Sequence, residues 1–74
     1  MDAIQSRAFF QGRMAEQIAA MPGLKRDLDA ARRGGDAAKI RQAREDIAEA
    51  VQNLRILCHV VSGIINEIEV LGLE

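Results

Sequence analysis

An unbroken seven-residue apolar repeat from Ile40 to Leu71 is the feature that most constrains this chain. No charged or amide side chain interrupts either of its two rows. The rows are Ile40, Ile47, Leu54, Val61 and Ile68, and Ala43, Ala50, Leu57, Ile64 and Leu71. Residues at this spacing lie on one stripe of a long α-helix. Because such a stripe is stable only when it is covered, the repeat predicts a helix that packs against another helix.

A turn between two helices is predicted at Gly34-Gly35. Gly34 suits the left-handed residue that ends a helix, and Asp36 suits the N-cap of the next one. So short a connection makes neighbouring helices antiparallel, which predicts an all-α, coiled-coil-like hairpin. The predicted segments are a single domain over residues 1–74, with helix 1 at about 3–33, the turn at 34–35 and helix 2 at about 37–71.

Helix 1 has a less regular apolar stripe and contains the proline of the chain. The stripe comprises Phe10, Met14, Ile18, Met21, Leu24, Leu28 and Ala31. Pro22 cannot donate a hydrogen bond to Ile18, and proline inside a helix costs about 3 kcal/mol. Two outcomes stay open: a kinked but continuous helix, or a break at Met21 and a restart with Pro22 in the first turn.

The bulk properties limit the classes of protein to which the chain can belong. A chain of 74 residues is only marginally stable alone, so a partner is expected. The net charge of −1 disfavours nucleic-acid binding. The lone Cys58 fits a reducing compartment, and the N-terminus lacks an apolar signal core, so we expect a cytoplasmic location. The uncharged run Ile56–Asn66 is too short for membrane insertion.

From Val51 onward the apolar face of helix 2 becomes wider than one neighbouring helix can cover. One interpretation is a third packed segment formed by residues 2–20 folded back on themselves. The other is an exposed patch that a protein partner covers. The predicted partner-binding residues are Val51, Ile56, Cys58, Val60, Ile65 and Val70.

Cys58 and His59 are the residues that could raise a metal or catalytic hypothesis. Adjacent residues on a helix point about 100° apart, so these two cannot converge on one ion. The sequence holds no second cysteine or histidine. We therefore predict no catalytic, cofactor or metal site, and expect that the protein is not an enzyme.

Two segments resemble the small E-type co-chaperones of type III secretion needles. They are Arg-Gly-Gly-Asp-Ala at residues 33–37 and Ile-Leu-Cys-His-Val-Val-Ser-Gly at residues 56–63. The resemblance covers approximately residues 24–63. It implies a cytoplasmic helical hairpin that pairs with a helical-repeat chaperone, and that the two together keep the needle subunit unpolymerised before export.

A second function stays open beside this one. Two hairpins could form an antiparallel four-helix-bundle homodimer, a self-associating structural protein that buries its wide face between the two copies.

Overall fold

A computed structural model describes residues 1–73, and the chain forms two long α-helices that pack side by side. Helix α1 spans Ala3–Gly34 and helix α2 spans Ala37–Leu71. The resulting rod measures 54 × 16 × 15 Å along its principal axes. The predicted all-α helical hairpin is therefore confirmed. Residues 2–20 do not fold back as a third segment, since α1 contains them from Ala3 onward.

A capping box at Asp2 begins α1. The backbone N–H of Gln5 donates to Asp2 Oδ1 at 2.8 Å, and the N–H of Asp2 donates to Gln5 Oε1 at 3.2 Å. These bonds satisfy donors that a helix N-terminus otherwise leaves unpaired. At the other end of α1, Arg32 and Arg33 lie in the last turn, where positive charge favours the helix dipole.

Pro22 lies inside α1 without ending it. The helix is continuous from Ala3 to Gly34, so the predicted alternative of a break at Met21 is wrong. The side chain of Pro22 is exposed and faces away from α2. Its missing N–H leaves the carbonyl of Ile18 without the usual helical donor. Packing of α1 along α2 offsets this loss, as tertiary contacts commonly do for helices in proteins.

The chain reverses direction at Gly35 rather than at Gly34. Gly35 has φ 71°, and its N–H donates to the carbonyls of Ala31 at 3.1 Å and Arg32 at 3.2 Å. Gly34 is the last residue of α1, so the prediction that it is the left-handed residue is wrong by one position. Asp36 explains the shift, because its extended backbone starts α2 and the reversal must come immediately before it.

The side chain of Asp36 begins α2. Its Oδ1 accepts from the N–H groups of Ala38 at 2.9 Å and Lys39 at 3.3 Å. At the far end Gly72 is left-handed, with φ 63°, and its N–H donates to the carbonyl of Ile68. Both ends of α2 are thus closed by local hydrogen bonds, which defines the length of the apolar repeat presented to α1.

The core of the hairpin is the apolar repeat of α2. The buried residues of the described chain are Ala43, Val61 and Ile68, and all three belong to the repeat. The other members are half-buried, except Leu71 at the helix end, which is exposed. The repeat therefore faces α1, as predicted.

On α1 most of the half-buried residues follow a seven-residue pattern of their own. The row is Ala3, Arg7, Phe10, Met14, Gln17, Met21, Leu24, Leu28 and Ala31. Gln17 takes the place predicted for Ile18, whose side chain is 55% exposed. The strict repeat of α2 requires its neighbour to present residues at the same period of about 3.5, and Ile18 lies one position beyond that row. We call the two facing rows together the seam.

The neighbouring glycines of the turn predict opposite effects of the same substitution. Gly35→Ala should lower the free energy of unfolding by about 1 kcal/mol, because alanine is strained at positive φ. Gly34→Ala should raise it by about 0.5–1 kcal/mol, because Gly34 is helical and an added Cβ meets no atom within 4 Å. Urea unfolding followed by circular dichroism measures both. Equal effects of the two variants would contradict the assigned turn.

The seam predicts a second contrast, between Ile68 and Val70. Ile68 is 3% exposed and Val70 is 74% exposed, although only one residue separates them. Ile68→Ala should destabilise the hairpin by about 2–4 kcal/mol, whereas Val70→Ala should change its stability by less than about 0.5 kcal/mol. Thermal and urea melts give both values. Similar losses would mean that another surface covers Val70.

Candidate partner-binding surface

Two flanks border the seam, one on each side, and surface grooves identify which parts of the helices share a flank. One groove of about 310 Å³ is lined by Arg13 and Gln17 of α1 and by Asn53, Ile56 and Leu57 of α2. A second groove near the turn brings Asp27 beside Asp46 and Lys39. We call this side the Asn53 flank. Residues of both helices form this flank. In each helix, the residues on the other side of the seam therefore lie together on the opposite flank.

That opposite flank runs through Cys58 and consists of residues that each directly follow a seam residue. We call it the Cys58 flank, and its members are Ile4, Gln11 and Ile18 on α1 and Val51, Cys58 and Ile65 on α2. Within each helix the members repeat every seven residues. They therefore form two parallel rows along the rod, one on each helix.

The register of the hairpin aligns these two rows. Gln17 shares a groove with Asn53 and Leu57, so Ile18 lies close to the level of Val51. At the open end Ile4 lines a small groove with Leu73. Ile4 lies two heptads before Ile18, and Ile65 lies two heptads after Val51. The antiparallel arrangement therefore sets Ile4 near the level of Ile65.

The Cys58 flank is apolar and open. Ile18 is 55% exposed and Ile4 is 39% exposed, Cys58 is exposed, and Val51 and Ile65 are half-buried. None of its members carries a charge. Small exposed side chains border it, namely Ala8, Ala15, Ala48 and Ser62. Arg55 lies in the same border row and lines the groove beside Val51 and Cys58. Because small residues let two helices approach closely, this surface has the shape and polarity that a third helix requires.

The Asn53 flank has a different character. Charged residues of both signs lie along it, namely Arg13, Asp27, Lys39, Asp46 and Glu67. Charged side chains stay solvated without a partner. Exposed apolar side chains also lie on this side, because Val60 belongs to the row of Asn53 and Phe9 and Ile56 lie next to that row. The two flanks therefore differ in charge, while apolar surface is exposed on both sides of the seam.

The structure divides the six predicted partner-binding residues between the two sides of α2. Val51, Cys58 and Ile65 lie on the Cys58 flank. Val60 lies on the Asn53 flank, seven residues after Asn53. Ile56 and Val70 lie next to that flank, where Ile56 lines the groove with Arg13. Ile56 is 52% exposed and Val70 is 74% exposed. The six residues do not form one continuous surface, because the two groups project from α2 in directions too far apart to belong to one face of the helix.

Sequence reasoning missed the contribution of α1 to this surface. Ile4 and Ile18 lie fourteen residues apart, which is the spacing that would have put them on one row. The signal was hidden because Arg7 and Gln17 occupy seam positions and interrupt the apolar pattern of α1. The apolar pattern alone therefore favours Ile18 over Gln17 as the seam residue.

Cys58 and His59 are neighbours on α2 and both line a shallow groove of about 340 Å³. Across residues 1–73 no group of three or more histidine, cysteine, aspartate or glutamate side chains is placed to hold a metal ion. Neither helix, as far as Leu73, contains a stretch long and apolar enough to cross a membrane.

Comparison of the chain with protein-family models, curated proteins and solved structures finds no match. The resemblance to needle co-chaperones thus stays a prediction that rests on residues 33–37 and 56–63.

The position of Cys58 predicts its reactivity in the folded hairpin. Its exposed thiol should react with a maleimide at a rate within a few-fold of that in the urea-unfolded chain. A matched variant with Cys58→Ser and Val61→Cys moves the thiol into the seam. That thiol should react at least about tenfold more slowly, since the seam must open first. Equal rates for the two thiols would contradict the assignment of seam and flank.

Proposed function

We propose that this protein is a small helix-binding adaptor of the chaperone class, and that it buries the Cys58 flank against a helix of another protein. The observation that supports this most directly is the uncharged, exposed surface formed jointly by Ile18 and Ile4 on α1 and by the Cys58 row on α2. Exposed apolar surface bordered by polar residues is typical of protein-interaction sites. Binding of this kind needs no catalytic group.

The weak core of the hairpin supports the same proposal. Only Ala43, Val61 and Ile68 are buried among residues 1–73. Covering a Val- or Ile-sized side chain contributes about 1.5–3 kcal/mol, so a third helix over Ile18, Val51 and Ile65 would add substantially to this core. A partner that binds only the folded hairpin stabilises it by mass action.

The resemblance gives the proposal its most specific form. A co-chaperone of this type would act in the cytoplasm with a helical-repeat chaperone, and the two would hold a type III secretion needle subunit unpolymerised. The mechanism is competition, because the chaperones cover helical surface through which the subunit would otherwise polymerise. Docking of an amphipathic helix into an apolar groove is a common mode of such recognition.

The alternative function is a self-associating homodimer, and the spacing of the Cys58 row favours it as a second candidate. Val51 and Ile65 lie seven residues on either side of Cys58. A two-fold axis through Cys58 would therefore set Val51 of one copy against Ile65 of the other. Two hairpins joined in this way would form an antiparallel four-helix bundle.

A matched pair of isoleucine substitutions tests the adaptor proposal. Ile18 and Ile56 are 55% and 52% exposed but lie on opposite sides of the hairpin. The binding partners in this test are a helical-repeat chaperone and a needle subunit that are encoded beside this chain. They are co-expressed and purified with it. Ile18→Asp should weaken binding about 100-fold or more, because it places a carboxylate in the buried centre of the interface. Ile56→Asp should leave binding almost unchanged.

Light scattering on the isolated chain separates the two functions. For an adaptor, Ile18→Asp leaves the molar mass and helicity unchanged while binding is lost. A stable dimer that Ile18→Asp splits into monomers would support the four-helix bundle instead. Undiminished partner binding by the Ile18→Asp variant would exclude the Cys58 flank as the binding surface.

A further inference from the structure

Toward the turn, the apolar Cys58 flank continues into a cluster of four cations. Lys25 and Arg32 extend the row of Ile4 and Ile18 at the same seven-residue spacing, and Arg44 lies seven residues before Val51. Arg41 lies one turn before Arg44 on the outer side of the same flank. All four side chains are exposed, and within residues 1–73 none of them lies in an ion pair.

The charges at this level of the rod are distributed unequally between the two flanks. The Asn53 flank carries Asp27 and Asp46 beside Lys39, and these residues line a common groove. On the side of the Cys58 flank, two carboxylates lie near the cluster. Asp29 is half-buried and lies one turn from Lys25 and from Arg32, and Glu45 lies one turn after Arg41. They offset part of the positive charge, and the cluster remains basic. The basic cluster is therefore a property of one face of the hairpin and not of its whole turn end.

We propose that the Cys58 flank binds a single amphipathic helix with two distinct halves. One half covers the surface from Ile4 to Ile18 and from Val51 to Ile65 with apolar side chains. The other half carries aspartate or glutamate on the same face, over the cations. The cations are Lys25, Arg32, Arg41 and Arg44. This inference rests on the proposed helix-binding function and adds the chemistry of the helix that is bound.

Charge complementarity distinguishes this occupant from a second copy of the chain. The described part of the Cys58 flank offers one carboxylate toward its open end, at Glu69. An antiparallel second copy centred on Cys58 would thus bring one carboxylate toward four cations. It would also place Gly72 of that copy, rather than an acidic residue, against Arg44. A foreign helix with an acidic half leaves none of the cations unmatched.

Four exposed ion pairs give a measurable but modest preference. Each such pair contributes little by itself and is screened by salt. Together they should favour an acidic helix over its lysine counterpart by about tenfold in affinity at low salt. Because complementary charge acts mainly on encounter and register, the preference should fall as ionic strength rises.

Synthetic helices test the inference on the full chain. The acidic peptide, of about 28 residues or about 42 Å of helix, carries leucine and alanine at i, i+3, i+4 and i+7 in one half. Glutamate occupies the same face of its other half. The control peptide has lysine in place of each glutamate. Each peptide is made in two versions, with the apolar half either first or last in the sequence. Fluorescence anisotropy should show the acidic peptide binding about tenfold more tightly, with a smaller difference at high salt.

Charge reversal on the protein provides the matched comparison. Lys25→Glu combined with Arg44→Glu should reverse the preference, so that the lysine peptide binds more tightly. Arg26→Glu combined with Arg33→Glu changes the net charge equally but on the outward face of α1. This control pair should keep the preference for the acidic peptide. Circular dichroism on each variant verifies that the hairpin remains folded.

Different outcomes contradict the acidic-helix inference and the proposed helix-binding function. Equal affinity for both peptides, with Ile18→Asp abolishing both interactions, would overturn the acidic-helix inference and leave helix binding intact. Binding of neither peptide would overturn the inference as well. If the chain is then a stable dimer that Val51→Asp dissociates, a second copy covers the flank and the adaptor function also fails.

Discussion

Packing of the α2 repeat against α1 is the interaction on which the rest of the structure depends. Among residues 1–73 it contains all three buried residues, Ala43, Val61 and Ile68, and it holds α1 helical through Pro22. Because the repeat has a strict period of seven, it also sets the rotation of α1 about its axis. That rotation brings Gln17 to the seam and leaves Ile18 outside it. The exposed surface of the protein is therefore a consequence of how its core is packed.

One seam between two helices necessarily leaves two flanks, and in this hairpin the two flanks differ in their distribution of charge. The Asn53 flank carries charges of both signs together with exposed apolar residues such as Val60. The Cys58 flank is apolar, and toward the turn it is followed by the basic cluster that contains Lys25 and Arg44. A rod only 16 Å wide has no deeper layer in which such a surface could be buried. Covering it would take another polypeptide, which is the role that we propose for a partner helix.

Much of the fold could be predicted from local rules. Asp36 as an N-cap and the apolar repeat from Ile40 were enough to define α2, because capping and periodicity act within a few residues. The left-handed residue was misplaced by one position, since Gly34 and Gly35 are equally permissive and only the extended backbone of Asp36 distinguishes them. Pro22 could not be resolved from sequence, because its local cost competes with packing along the entire helix.

The sequence by itself determined two long helices, a glycine turn and a continuous apolar repeat, since these follow from spacing along one chain. It did not determine which exposed apolar residues share a surface. Val51 and Ile56 are both apolar and only five residues apart, yet they lie on different sides of α2. Tertiary structure decided that Ile18 of α1 joins Val51, because residues far apart in sequence become neighbours only once the register and rotation of both helices are fixed.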